Sequence, residues 1–185
     1  MTRLRPAVFL DRDGVLNRPL IIEGKPYAPR HMKDFRLLPG VAAAATRLRA
    51  AGFVTVVVTN QPDIGNRLVD PVDVAAMNAR LRQRVAIDDL RMCPHRREDL
   101  CACRKPKPGM LLAAADELGL DLQRSYMVGD RGGDIVAGLA AKCYTILVHR
   151  PYKEPLGAEP NARVTCLAQA VELILKRETG GHRGK

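Results

Sequence analysis

A chain of 185 residues, 46% apolar and 27% charged, is long enough for one substantial core and too short for a second. No apolar stretch in it reaches the length of a bilayer span. The net charge of +10 is spread rather than blocked, and three Phe, four Tyr and no Trp provide no stacking platform for single-stranded nucleic acid, so the charge reads as compositional drift plus steering of a small anionic substrate.

The N-terminal Met1-Thr2-Arg3-Leu4-Arg5-Pro6 shows no secretory apolar core or small-residue cleavage site, so a cytoplasmic protein is expected. The apolar run Ala7 to Leu10 predicts a buried strand, and Asp11-Arg12-Asp13-Gly14-Val15-Leu16-Asn17 follows where it would emerge into a loop. Residues i and i+2 of an extended segment point the same way, so Asp11 and Asp13 can converge on one reacting group. One carboxylate can attack phosphorus while the other protonates the leaving alcohol and later deprotonates water. Two anions facing a phosphate imply a divalent cation, and Mg²⁺ suits one or two carboxylates plus substrate oxygens. An isolated Asp-x-Asp is more often a pair of turn acids, and the rest of the chain must decide.

A helix over Val41 to Ala51 precedes a strand over Phe53 to Val58 that ends in Thr59-Asn60-Gln61. A hydroxyl and a backbone N–H there can bind a phosphate oxygen, or else cap a helix. After a helix over Val72 to Arg84 come Cys93-Pro94-His95, five residues, and Cys101-Ala102-Cys103. Three thiolates and an imidazole at this spacing match a closed, structural Zn²⁺ site with no open position for water. A disulfide is the competing account, and a cytoplasmic location argues against it.

Arg104-Lys105-Pro106-Lys107-Pro108-Gly109 then sets three cations before a helix over Gly109 to Leu118. Lys105 can neutralise an attacking carboxylate and a transferring phosphoryl group, whereas Lys107 reads as a solvated turn residue. A strand over Tyr126 to Val128 leads into Gly129-Asp130-Arg131-Gly132-Gly133-Asp134. Asp130 would complete the Mg²⁺ site begun by Asp11, and Asp134 is either a helix cap or a partner of a metal ligand. A helix over Asp134 to Ala141, a strand over Tyr144 to Val148, a loop with Pro151, Pro155 and Pro160, a short strand at Val164 and Thr165, and an amphipathic helix from about Leu167 to Lys176 complete the chain. Cys143 and Cys166 sit in apolar context as buried bystanders.

This alternation predicts an α/β, Rossmann-like three-layer sandwich with a mainly parallel sheet, no large cap domain, and ligands beyond the carboxyl ends of the strands. Residues 1–178 form one domain with the zinc loop at about 92–104, and 179–185 are expected to be a disordered tail.

In order along the chain, Asp-x-Asp-Gly, a strand-end Thr, a Lys before a helix and Gly-Asp-x-x-x-Asp resemble the haloacid dehalogenase superfamily of aspartate-nucleophile phosphatases. Asp-Arg-Asp-Gly-Val-Leu-Asn, Thr-Asn-Gln, the Cys/His knot, Cys-Arg-Lys-Pro-x-Pro-Gly-Met and Tyr-Met-Val-Gly-Asp resemble its D-glycero-D-manno-heptose 1,7-bisphosphate 7-phosphatases, small lidless enzymes that bind zinc. The resemblance implies Asp11 as nucleophile and Asp13 as general acid/base, with Asp11, the Asp13 carbonyl and Asp130 on Mg²⁺. It also implies phosphate contacts from Thr59 and Asn60, charge neutralisation by Lys105, substrate contacts from Arg104 and Arg131, and Zn²⁺ on Cys93, His95, Cys101 and Cys103. It further implies an enzyme acting on a phosphorylated sugar in nucleotide-activated heptose biosynthesis, the anomer and hence lipopolysaccharide or another glycan as destination staying open, and a monomer is expected.

The five-residue spacing in the knot is familiar from the related histidinol-phosphate phosphatases, and Pro62-Asp63 replaces a common Ser-Gly. Asn17 and the Pro-Gly-Met ending match the heptose group, leaving histidinol phosphate as the alternative substrate. A nucleic-acid end phosphatase, a receiver-like domain phosphorylated on Asp11 and a zinc-stabilised nucleic-acid binder are the remaining alternatives. Asp13 has no use in a receiver, and a nucleic-acid binder would show steeply salt-dependent affinity.

Overall fold

The alternating side chains of β1 (Ala7–Leu10) divide the core in two. Val8 and Leu10 face one layer, Ala7 and Phe9 the other, and all four are fully buried, as a central parallel strand requires. The computed structural model describes residues 4–180. After β1 come a hairpin of β2 (Leu20–Ile22) and β3 (Lys25–Tyr27), then α1 (Val41–Ala50), β4 (Val54–Asn60), the single turn α2 (Pro62–Gly65), α3 (Pro71–Arg84) and β5 (Asp89–Cys93). The second half contains α4 (Gly109–Leu118), β6 (Tyr126–Gly129), α5 (Gly132–Ala140), β7 (Tyr144–Val148), β8 (Ala162–Val164) and α6 (Leu167–Gly180).

The central sheet has the order β5-β4-β1-β6-β7-β8, and every neighbouring pair is parallel. Leu48 of α1, Met77 and Leu81 of α3 and Ile174 of α6 pack with Val57, Val128 and Ile146 on one face. Leu111 of α4 and Ala137 of α5 pack with Val56, Val58 and Met127 on the other. Each large side chain buried this way contributes roughly 1.5–3 kcal/mol relative to exposure. The expected three-layer α/β sandwich is thus present, and the segments between β1 and α1 and between β4 and β5 carry no second core among the described residues.

The chain lays down β4 and β5 on one side of β1, then crosses to lay down β6, β7 and β8 on the other. The carboxyl ends of β4, β1 and β6 therefore meet at the reversal, where a crevice forms. The registers Leu10↔Val57 and Leu10↔Val128 bring Asp11, Thr59 and Asp130 to the same end.

Two elements near this end depart from the buried apolar strand pattern. The hairpin exposes Ile21 and Ile22, and β5 is an edge strand whose Arg91 is spent on Asp89 and Glu117. The register Asn60↔Cys93 makes β5 important, because it puts the Cys/His loop beside the end of β4. Helix α6 runs past the expected Lys176, with Tyr126 donating to Glu178 at 3.0 Å and Thr179 to the Leu175 carbonyl at 3.2 Å. Residues 181–185 of the expected tail lie outside the described residues. No helix among the described residues is long and apolar enough to cross a membrane.

Candidate active site

Lys105 uses all three of its N–H donors beneath the strand ends. Its Nζ lies 2.7 Å from Asp11 Oδ1, 2.6 Å from Asp134 Oδ1 and 2.7 Å from the Val58 carbonyl. Burial alone would push this ammonium down, but the charges and hydrogen bonds of Asp11 and Asp134 outweigh it and hold the lysine above its ordinary value. Asp11 moves up as well, to about 6, because burial and the charges of Asp134 and Asp13 exceed the pull of Lys105. The two shifts have different causes, burial for the carboxyl and the neighbouring carboxylates for the ammonium.

Asp130 is the third carboxylate of the cluster. Tyr152 donates to its Oδ2 at 2.7 Å, while its buried Oδ1 has no partner among the described residues. Burial, together with the charges of Asp11 and Asp134, pushes Asp130 well above the usual carboxylate range. Carboxylate oxygens of Asp11, Asp130 and Asp134 lie within 4.8 Å of one another. Asp134 has none to spare, since Oδ1 holds Lys105 and Oδ2 accepts the backbone N–H groups of Asp130 (3.1 Å) and Arg131 (3.0 Å). It therefore caps α5 from the third helical position, with Arg131 rather than Asp134 at the N-cap, and orients the lysine. Excess negative charge and an unpartnered buried oxygen fit a hard divalent cation on Asp11 and Asp130. Gly14 has φ of +98°, and a Cβ there would lie 1.8 Å from Asp130 Oδ2, so only glycine lets the first loop pass this carboxylate.

Asp13 has a different environment from Asp11. Its carboxylate accepts from Arg12 Nη2 at 3.0 Å, Asn17 Nδ2 at 2.8 Å and Gln61 Nε2 at 2.7 Å. Gln61 Nε2 also donates to Thr59 Oγ1 at 2.9 Å, linking the ends of β1 and β4. Arg12 is fully buried between Asn78, 2.8 Å from its Nη1, and the ring of Phe35.

The Cys/His knot closes as its spacing predicts. Cys93 Sγ lies 3.6 Å from both His95 Nδ1 and Cys101 Sγ, and Cys103 Sγ lies 3.3 Å from His95 Nδ1 and 3.4 Å from Cys101 Sγ. These separations are far above the roughly 2.05 Å of a disulfide. They are close to the roughly 3.7 Å expected between ligands bound tetrahedrally at about 2.3 Å, so the donor set fits Zn²⁺. The Cys93 carbonyl accepts from Gln61 N at 2.7 Å, and the Pro94 carbonyl from Gly65 N at 3.0 Å, stitching the knot to the loop after β4.

Comparison with known proteins is consistent with this geometry. A family model described as HAD-hydrolase-like matches residues 102–168. A D-glycero-beta-D-manno-heptose-1,7-bisphosphate 7-phosphatase of Yersinia pestis is 37% identical over 174 residues, which is 88% of this chain and 89% of that protein. A D-glycero-alpha-D-manno-heptose-1,7-bisphosphate 7-phosphatase of Mycobacterium tuberculosis is 38% identical over 155 residues, 76% of this chain and 78% of that one. The chain belongs to the haloacid dehalogenase-like hydrolases. It is a phosphatase. A crystal structure of D,D-heptose 1,7-bisphosphate phosphatase from B. bronchiseptica, complexed with magnesium and phosphate, matches it with a TM-score of 0.78 at 30% identity, covering 93% of this chain and 99% of that one.

The remaining sequence-predicted residues of the phosphatase have varied surroundings. Thr59 is buried at the strand end, with its oxygen accepting from Gln61 and its own O–H left to donate. The Asn60 side chain is spent on Lys105, receiving from its backbone N–H at 3.2 Å and donating to its carbonyl at 3.0 Å. It thus fixes the lysine rather than presenting its amide to a ligand. Arg104 donates to the His95 carbonyl at 3.3 Å, while Arg131 donates to the Pro26 carbonyl of the hairpin. Lys107 reaches the Leu100 carbonyl in an exposed turn. Tyr152 and Arg150 carry no motif and escaped the sequence, although Arg150 donates to the Gly14 carbonyl at 2.8 Å.

Proposed function

We propose that the phosphatase hydrolyses the 7-phosphate of D-glycero-D-manno-heptose 1,7-bisphosphate through an aspartyl-phosphate, in the cytoplasm and within nucleotide-activated heptose biosynthesis. The observation that carries the chemistry is Asp11 held 2.7 Å from a buried Lys105, beside the unpartnered oxygen of Asp130. The substrate is the one named for the Yersinia and Mycobacterium relatives. Asp11 attacks phosphorus and the P–O bond to the sugar breaks, the leaving oxygen taking a proton from Asp13. Asp13 then takes a proton from water, which attacks the aspartyl-phosphate to release inorganic phosphate and restore Asp11. A Mg²⁺ on Asp11, Asp130 and the Asp13 carbonyl would supply charge neutralisation for the phosphate. Thr59 donates to the phosphate, Asn60 acts through Lys105, and Arg104 and Arg131 flank the sugar. Cys93, His95, Cys101 and Cys103 would hold a structural Zn²⁺, which would fix the segment leading into Lys105.

Phosphate release from both heptose bisphosphate anomers and from histidinol phosphate, assayed side by side, tests the substrate. A heptose bisphosphate is expected to win by about a hundredfold in kcat/KM, equivalent to about 2.7 kcal/mol. The compact knot favours histidinol phosphate as the second reading, and a preference for that compound would overturn the first.

The cation site should respond to pH. Burial raises Asp11 to about 6 and Asp130 well above its usual range, so in acid both hold protons that a cation must displace. Mg²⁺ affinity is expected to fall as pH drops through about 6, with proton release on binding. Calorimetry in buffers of different ionisation enthalpy measures both, and a flat affinity between about pH 5 and about pH 8 would contradict the assignment.

A further inference from the structure

The loop after β7, residues 149–157, lies across the site as a strap with several anchors. His149 N donates to the Val164 carbonyl at 2.7 Å, fixing the start of the strap to β8. Arg150 donates from Nε and Nη2 to the Gly14 carbonyl at 3.1 and 2.8 Å, tying the strap to the loop that carries Asp11 and Asp13. At the far end the Leu156 carbonyl sits so close to Gly132 that a Cβ there would lie 2.1 Å from its oxygen. Between these anchors the Tyr152 hydroxyl reaches Asp130 Oδ2 at 2.7 Å.

That hydrogen bond is the only one to the Asp130 carboxylate among the described residues, and it leaves Oδ1 buried without a partner. Asp130 is buried against Gly14 and lines an open pocket of about 290 Å³ together with Arg131, His149, Arg150, Tyr152 and Arg163, and Tyr152 is the only group that holds its carboxylate by a hydrogen bond among the described residues. The terminal torsion of an aspartate is broad and roughly two-fold. Without the phenol, no hydrogen bond among the described residues selects which carboxylate oxygen faces the cation.

We propose that Tyr152 is a positioning residue for Asp130, taking one carboxylate oxygen so that the other faces the divalent cation. The inference rests on Asp130 being a Mg²⁺ ligand. Groups that orient metal ligands commonly govern affinity by about 10- to 100-fold. Because Arg150, His149 and Gly132 hold the strap independently, losing one hydroxyl leaves it docked.

The test is Mg²⁺ binding to the full-length protein by calorimetry, alongside the Mg²⁺ dependence of phosphate release. Wild type, Tyr152→Phe, Asp130→Asn and Tyr144→Phe are compared, Tyr144 being a phenol whose hydroxyl bonds to the Asn161 carbonyl away from the site. Tyr152→Phe is expected to raise the Kd for Mg²⁺ about tenfold or more, with kcat returning to within about twofold of wild type at saturating Mg²⁺. Tyr144→Phe should change neither. A Kd for Tyr152→Phe within about twofold of wild type, or a loss of kcat with Kd unchanged, overturns the proposal. Equal Mg²⁺ binding by wild type and Asp130→Asn would instead refute the assignment of Asp130, and the role of Tyr152 with it.

Discussion

Asp11→Asn is expected to lower phosphate release by roughly 10⁴-fold or more while leaving the metal-free protein at least as stable as wild type. The amide keeps the size of the side chain and an oxygen for Lys105 Nζ, now 2.7 Å away, but cannot form the acyl phosphate. Its effect on stability follows from the charge balance. Asp11 and Asp134 share one ammonium with Asp130 beside them, and burial raises Asp11 from its ordinary value of 3.8 to about 6. A folded-state carboxyl pKa above the unfolded value means that ionisation opposes folding. This penalty is absent below about pH 4, grows as pH rises, and is complete above about 6. Removing the charge should therefore relieve a cost of order 1–3 kcal/mol near neutral pH and nothing in acid. Thermal unfolding of both proteins from about pH 4 to about pH 8 without Mg²⁺, paired with turnover, checks the two halves together. Turnover within about tenfold of wild type would remove Asp11 from the nucleophile's role, and a destabilised variant at neutral pH would mean that Lys105 compensates the cluster more fully than its three carboxylates imply.

What was legible in the sequence had short-range causes. Buried parallel strands are apolar runs, and a polar residue directly after such a run lies at a carboxyl end, which places Asp11, Thr59 and Asp130 from the sequence alone. The knot was legible because metal geometry restricts the spacing of Cys93, His95, Cys101 and Cys103. Edge strand β5 was not, because Asp89 and Arg91 break its apolar pattern and neutralise each other only once paired. Contacts between distant segments were equally hidden. Asn60 grips the backbone of Lys105 across 45 positions, and Arg150 reaches Gly14 across 136. Asp13 shows the limit of local geometry: the i, i+2 rule places it on the same side as Asp11, yet Arg12, Asn17 and Gln61 surround it while Lys105 takes Asp11.

Lys105→Met should have the opposite effect on stability, with a smaller loss of activity than Asp11→Asn. Methionine has a similar stem and no charge, so Asp11 and Asp134 lose the one cation paired with them among the described residues and the Val58 carbonyl loses its donor. Removing an electrostatic group aimed at the transferring phosphoryl is expected to cost about 10²- to 10³-fold in kcat. Breaking a buried ion pair from one side costs about 3–5 kcal/mol, which at this chain length lowers Tm by about 10 °C. The pH dependence separates this cause from a packing defect. Without the lowering influence of Lys105, the Asp11 pKa should rise above about 6, so the penalty is carried at neutral pH and shed as the carboxyls protonate. The Tm deficit of Lys105→Met should thus shrink between about pH 8 and about pH 5, and shrink again when Mg²⁺ is added at about pH 8. A packing defect would persist across that range. Adding Asp11→Asn to Lys105→Met should restore part of the lost stability, because the second change removes one of the charges the first left uncompensated. Strictly additive effects of the two substitutions, with Asp11→Asn changing stability equally with and without Lys105, would mean that the 2.7 Å contact between these side chains contributes little to the folded state.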